Sequence, residues 1–273
     1  MASSKKTDSG FVETIKTIVW ALVIAGVVRT LFFQPFFIPS GSMKDTLLVG
    51  DFLFVNKMAY GYSRYSCPFA SADFSPCPIE GRLFASEPKR GDVVVFRHPV
   101  QNVDFIKRLV GLPGDKIQMI DGTLYINGTA APQEPAGNFT EIKEPQGAQG
   151  TPPRCVNDPV GLGGTCIKQR FIETLPGNTP SDPPVKHDIL NISDSWMADN
   201  TPVLTVPEGE YFFMGDNRDN SEDSRFPQSV GGVGFVPAQY LVGRADRIMF
   251  SSAGKSLMYF WTWRPDRFFK AVK

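Results

Sequence analysis

The sequence predicts a mostly β protein: an antiparallel β-sheet core with an inserted, loop-rich β subdomain, preceded by one N-terminal transmembrane helix. Three observations carry this expectation. Short apolar runs recur at residues 52–55, 93–96 and 105–110, each bounded by Gly, Pro or Asp turn signals, which is the punctuation of strands rather than helices. Turn formers and aromatics are both plentiful, with 25 Gly, 23 Pro and 22 Phe. One long apolar stretch lies near the N-terminus, ahead of every strand candidate.

Composition bounds the rest. With 42% hydrophobic and 21% charged residues, a chain of 273 residues can bury a sizeable core. Its 28 basic and 28 acidic residues balance, and no basic run occurs, so nothing draws it to nucleic acid. Residues 18–28 carry no charge, and the stretch 11–33 provides the roughly 20 residues that a bilayer span needs. Glu13, Lys16 and Arg29 interrupt it, but charges near span ends reach the interface. Lys5, Lys6 and Lys16 precede the apolar centre, so the positive-inside rule puts a tail at 1–10 in the cytoplasm and the bulk of the chain outside; Arg29 opposes this weakly. Two rivals remain: a cleaved secretory leader with Ser40-Gly41-Ser42 as its small-x-small site, and a buried core helix.

Strand candidates then follow in order. Residues 52–55 come after Gly50-Asp51, residues 93–96 after Lys89-Arg90-Gly91-Asp92, and residues 105–110 end at Gly111-Leu112-Pro113-Gly114-Asp115. Within 117–126 two β-prone runs flank Asp121-Gly122, a strong hairpin signal. Residues 130–205 are rich in Pro, Gly, Asn and Gln, and strand patterning resumes at 206. The expected organisation is a core at 34–116 and 206–273 with an inserted cap at 117–205. Cys67 and Cys77 lie close together, as do Cys155 and Cys166, and no zinc spacing or C-x-x-C occurs. Two small disulfide loops and an oxidising compartment follow from that grouping; four reduced, buried thiols are the alternative, since sequence does not fix pairing.

Three segments have chemical potential. In an extended strand Phe105, Lys107 and Leu109 share one face, so burial of that face would desolvate the lysine and lower its pKa toward that of a general base. More often such a lysine merely covers apolar surface with its stem. Ser40-Gly41-Ser42-Met43 reads as a turn that exposes a hydroxyl, which becomes a nucleophile only beside a base. The two histidines, His98 and His187, have no evident serine and acid partners in sequence, though triads assemble across space. The S-x-x-K pattern of penicillin-binding enzymes occurs only at Ser3 to Lys6, without its companions. Residues 215–225 are dense in turn-forming polar side chains. Asp219, Ser221 and Asp223 alternate as calcium ligands do, but Ser224 and Val230 stand where that loop needs Gly and Glu. Internal Asp–Arg pairing is the simpler reading.

Taken together these segments are specific. Phe36-Phe37-Ile38-Pro39-Ser40-Gly41-Ser42-Met43 with Thr46-Leu47 and Gly50-Asp51, then Arg90-Gly91-Asp92-Val93-Val94-Val95-Phe96, then Phe105-Ile106-Lys107-Arg108 with 111–115, then Gly215-Asp216-Asn217-Arg218-Asp219-Asn220-Ser221 with Asp223-Ser224-Arg225, resemble in sequence and order the boxes of bacterial type I signal peptidases. The resemblance covers roughly 15–115 and 205–250 and leaves the insertion unmatched. It implies a membrane-bound serine endopeptidase of the bacterial cytoplasmic membrane, single-pass, with its catalytic domain on the periplasmic side, that removes signal peptides from exported preproteins after small residues. Its implied partners are those signal peptides, the lipid bilayer and the secretion translocase, with no nucleic acid. By the resemblance, Ser42 is the nucleophile, Lys107 the general base, and Ser40 an oxyanion donor beside the Ser42 N–H. Ser221 orients the lysine amine. Asp223, Arg225, Gly215 and Asn217 brace the site, and Phe36, Ile38, Met43, Val95, Phe105 and Ile106 contact substrate. No metal or cofactor is required by that chemistry.

The sequence departs from the pattern at Lys44-Asp45, where the family often has proline, and at 227–233, where extra residues lengthen a loop. The C-terminal tail mixes Tyr259, Phe260, Trp261, Trp263, Phe268 and Phe269 with basic residues, suiting either the lipid interface or packing on the core. Two other functions are weaker fits. A self-cleaving or repressor-cleaving serine/lysine peptidase would have a DNA-binding N-terminal domain where this chain has an apolar segment. A non-enzymatic, disulfide-stabilised envelope protein would not need the boxes.

Overall fold

The computed structural model of the chain describes residues 6–67, 70, 75–147, 150–254 and 257–273. It opens with one helix, α1 (Lys6–Leu31), which contains the apolar stretch Gly10–Leu31 of mean hydropathy 1.9, none of it buried. Apolar side chains such as Trp20, Leu22 and Ile24 project from it uncovered, on all sides rather than along one stripe. The buried-core-helix alternative therefore fails: a core helix would be covered, whereas this one has the length and all-round apolarity of a span.

Fourteen strands follow among the described residues: β1 (Phe33–Phe37), β2 (Asp51–Asn56), β3 (Val93–Arg97), β4 (Asp104–Gly111), β5 (Lys116–Ile120), β6 (Thr123–Ile126), β7 (Thr129–Ala130), β8 (Gln133–Ile142), β9 (Thr165–Leu175), β10 (Val185–Asn191), β11 (Leu204–Thr205), β12 (Glu210–Met214), β13 (Val236–Pro237) and β14 (Leu241–Ser251). The protein is mostly antiparallel β. The main sheet runs β1-β2-β14-β3-β4-β12-β13, so β14 returns from the C-terminal part to lie between β2 and β3. Pro35 sits in β1, an edge strand, where a missing N–H costs no ladder bond. The remaining strands form two smaller sheets, β11-β5-β6-β7 and β10-β9-β8. The β5–β6 hairpin turns at Asp121 (φ 47) and Gly122 (φ 74), both left-handed, as a two-residue turn of the primed type requires.

Residues 130–205 are more regular than their composition predicts. β8 and β9 are 10 and 11 residues long and antiparallel. The polar, Pro- and Gly-containing β8 offers little apolar alternation, because its outer positions are solvated and cross-strand pairing holds it. A register shift between Pro135 and Asn138 absorbs the proline. Both cysteine pairs are disulfides, Cys67–Cys77 and Cys155–Cys166. By the entropy of closing loops of this size, each contributes about 3 kcal/mol at most. Reduction should lower the thermal midpoint by several degrees, readable by calorimetry with and without a phosphine reductant.

Three clusters position the site. Val94, Phe96, Leu109, Phe213 and Leu241 pack on one face of the main sheet. Ile38, Met43, Leu47, Leu53, Val93, Ala245 and Ile248 form another cluster around the turn after β1. Val110, Ile117, Leu124 and Phe212 join the main sheet to the four-stranded one. The C-terminal tail divides between its two expected fates. Trp263 and Phe268 lie 4.9 and 5.0 Å from the Phe250 ring, whereas Phe260 and Trp261 remain exposed.

Candidate active site

The loop between β1 and β2 is fixed at both ends. Ile38 N–H donates to Asp51 O at 2.9 Å, and Gly50 N–H donates to Ile38 O at 3.0 Å. Ile38, Met43 and Leu47 drop into the core and leave Ser42 at the top of the turn, 7% exposed. Asn217 secures the turn twice: its backbone N–H donates to Ser42 O at 3.0 Å and its Nδ2 to Gly41 O at 2.9 Å.

Lys107 stands in β4, opposite Val94 of β3. From Lys107 to Gly111 every residue of β4 is buried, so both faces of the strand are covered there, beyond the single buried face that simple alternation implies. Its amine donates to Ser42 Oγ at 2.6 Å and lies 5.2 Å from the Phe105 ring centre. Burial pushes the ammonium down from its ordinary 10.5 to about 8, while the Asp223, Glu222 and Asp216 carboxylates resist that fall. The result is a lysine that is half neutral at about pH 8 and in contact with a hydroxyl. That arrangement can deprotonate a nucleophile.

The segment after β12 braces the pair. Arg225 donates to Asp223 through Nε and Nη2, both at 2.9 Å, and Asp223 Oδ2 also accepts from Gly215 N–H at 3.0 Å. Burial alone would raise the Asp223 carboxyl, but Arg225 holds it below the usual range. Both Asp223 oxygens are thus committed, and Asp219 Oδ2 is taken by the N–H groups of Ile192 and Ser193, so internal pairing occupies most of the oxygens that the calcium reading needs. Gly215 is required sterically: a Cβ there would lie 2.2 Å from Ser221 Oγ and 2.6 Å from Ser42 O. Gly215→Ala should therefore lower kcat at least tenfold with the circular dichroism spectrum retained, because the wedge moves both serines.

Ser221 is buried beside Gly215, its Oγ makes no hydrogen bond to the Lys107 amine, and that amine donates to Ser42 Oγ. Ser40 is exposed, and neither its hydroxyl nor the Ser42 N–H is bonded within the described residues, so both donors remain available to a substrate. Among the expected substrate contacts, Phe36 and Ile106 are half-buried and pack both on the Ile38 and Met43 cluster and on a further one of Val55, Tyr65, Val95 and Val242. Met43, Ile38 and Val95 are 1%, 2% and 1% exposed and act as the wall behind them. Phe105 packs instead with the Phe96 cluster and His98. Neither histidine reaches Ser42. His98 Nδ1 accepts from Val100 and Gln101 N–H at 3.1 and 3.0 Å, and His187 lies buried beside Glu173.

Sequence reasoning gave no role to Arg108 and Asp216, although it quoted them. Arg108 is wholly buried, pairs with Asp216 at 2.8 and 2.7 Å, and donates to Gly91 O at 2.8 Å. Thr46 Oγ1 donates to the same carboxylate at 2.5 Å, tying the loop that carries Ser42 to the strand that carries Lys107. The signal was visible as two consecutive cations in an apolar run, only one of which a base requires.

A family profile described as signal peptidase, peptidase S26, matches residues 11–250. The chain belongs to that family. It is 40% identical over 249 residues to the signal peptidase I of Rickettsia typhi, covering 90% of this chain and 83% of that protein. It is 41% identical over 235 residues to that of Rickettsia prowazekii, covering 85% and 78%. A solved signal peptidase I from Enterococcus faecalis shares 26% identity over 58% of this chain and 97% of its own, with a TM-score of 0.29, so the kinship is carried by sequence. As an S26 peptidase the protein is an enzyme of the serine peptidase class. Ser42 and Lys107 both fall inside the matched range.

Proposed function

We propose that this S26 peptidase is a membrane-bound serine endopeptidase that removes N-terminal signal peptides from exported preproteins, cutting after small residues, with Ser42 as nucleophile and Lys107 as general base. The observation that carries the reading is the 2.6 Å contact between the Lys107 amine and Ser42 Oγ, both buried. In the active form Lys107 is neutral, and the hydrogen bond runs from the Ser42 hydroxyl to the amine. As Oγ attacks the scissile carbonyl, its proton passes to Lys107. The tetrahedral oxyanion accepts hydrogen bonds from the Ser42 N–H and the Ser40 hydroxyl, both unengaged within the described chain. The Lys107 ammonium then protonates the leaving amine, giving an acyl-enzyme on Ser42 and a neutral lysine that next activates water.

The half-buried Phe36 and Ile106, backed by Ile38, Met43 and Val95, make a shallow apolar contact suited to small side chains. Phe105 forms the wall against which the lysine lies. The exposed α1 would anchor the enzyme in the bacterial cytoplasmic membrane, with β1 leaving the helix directly and holding the site near the periplasmic surface. Substrates delivered by the secretion translocase would emerge beside it. The test is digestion of a preprotein with an A-x-A site by the full chain in detergent, with the product's new N-terminus sequenced. Cleavage after the second alanine, lost when the alanines become leucines, supports the reading. Equal cleavage of both substrates contradicts the specificity.

A further inference from the structure

The nucleophile turn is held from a second direction by the inserted subdomain, through side chains unrelated to the dyad. Lys44, two residues after Ser42, is 3% exposed. Its amine donates to Glu141 Oε2 of β8 at 2.5 Å and to Gln146 Oε1 at 2.7 Å. The other Glu141 oxygen accepts from Lys168 of β9 at 2.8 Å, and Gln146 Nε2 donates to Glu141 Oε2 at 2.8 Å. Lys168 is wholly buried. Two buried ammonium groups thus share one carboxylate, a costly arrangement unless geometry maintains it.

Two further ties join the same elements. Arg170 Nη1 of β9 donates to Asp45 Oδ2 at 3.2 Å. The backbone at Gly147 packs so closely on the turn that a Cβ there would lie 2.0 Å from Pro39 O. The Lys44 stem in turn lies under Gly41, since a Cβ at Gly41 would meet its Cε at 3.2 Å. The Cys155–Cys166 disulfide ends on β9 directly across from Glu141, which pins the hairpin at that point.

We propose that Lys44, Glu141 and Lys168 form a clamp through which the β8–β9 hairpin positions the Ser42 turn, so that the inserted subdomain is part of the acylation machinery. The proposal rests on the Ser42 and Lys107 reading above. Lys44 bonds to neither reacting group; it is a positioning residue that sets the height of Gly41-Ser42 relative to the Lys107 amine.

The decisive variant is Lys44→Met, which keeps the apolar stem and leaves Glu141 and Lys168 as a balanced pair. The full chain in detergent, assayed on a preprotein, is expected to lose kcat by about tenfold or more with KM and thermal midpoint near wild type. Glu141→Gln is expected to lose a similar factor, and the double variant no more than either single, because one clamp is broken in each case. Arg170→Ala, which removes the Asp45 tie, should lose less. Wild-type kcat in Lys44→Met, or losses that multiply in the double variant, would overturn the clamp. A fall in thermal midpoint that tracks the fall in kcat would reduce Lys44 to a structural lysine and also overturn it. Lys107→Met run alongside separates the two levels: if it cleaves as wild type does, the dyad reading itself fails and the clamp falls with it.

Discussion

Lys107→Met should abolish cleavage while making the protein more stable. The activity loss is expected to reach at least 10^4-fold in kcat, the scale seen when the base of a serine nucleophile is removed. The stability gain follows from linkage. Lys107 titrates at about 8 in the folded chain against its ordinary 10.5 when exposed. Between those values the unfolded chain binds the extra proton, so the stability this group withholds below pH 8 is recovered as pH rises toward 10.5. At pH 7 the buried amine therefore costs about 3 kcal/mol, from which about 1 is subtracted for the hydrogen bond to Ser42. Removing the charge should raise the thermal midpoint at pH 7, and the difference from wild type should shrink at pH 10. Calorimetry at both pH values checks the sign. A variant destabilised at pH 7 would mean that Lys107 is a structural cation. Ser42→Ala should match the activity loss without the stability gain.

Asp223→Asn is the second large effect, in the opposite direction. It leaves the Arg225 guanidinium, wholly enclosed and bonded to Asp223 through Nε and Nη2, without its counter-charge. Breaking one partner of a buried pair costs about 3–5 kcal/mol. For a domain of this size that is a fall of roughly 10 °C in thermal midpoint. Gly215 N–H also loses its charged acceptor, and Lys107 loses the carboxylate that does most to keep its amine protonated. Activity should fall with stability, and Asp223→Glu should restore neither, because the longer side chain cannot keep both the fork and the Gly215 bond. Thermal melting followed by intrinsic fluorescence reads this directly.

The main sheet was legible because its strands are short apolar runs with sharp ends. Residues 93–96 and 105–110 became β3 and β4 almost unchanged. The Asp121-Gly122 turn signal marked the β5–β6 hairpin in the same way. The contact between Lys107 and Ser42 was legible as two separate signals, a lysine flanked by apolar residues and a serine in a Gly turn, joined by resemblance. What escaped notice has a common physical cause. β8 and β9 set polar against apolar residues across the strands, Phe139 opposite Lys168 and Thr140 opposite Ile167, which leaves β8 without a clean apolar run. The Lys44, Glu141 and Lys168 network is assembled from three segments far apart in sequence. The Ser221 role was implied by the family resemblance; in the structure Ser221 lies beside Gly215 and the Lys107 amine donates to Ser42 at 2.6 Å. Burial of Met43 and Val95 depends on cluster packing that no local pattern encodes.

The most direct test of a Ser42 nucleophile served by Lys107 is the pH dependence of kcat/KM, which reports the free enzyme. Lys44 is also held at about 8 by burial and would act in the opposite sense, weakening the clamp as it loses its proton, so the profile is measured in wild type and in Lys44→Met. In Lys44→Met an ascending limb with a midpoint near 8 is the predicted result, because the base must lose its proton to work; in wild type the same rise is curtailed above pH 8 as the clamp loses its charge. A limb near 6.5, or a flat profile from pH 6 to 9, in Lys44→Met would contradict it and move the base away from Lys107.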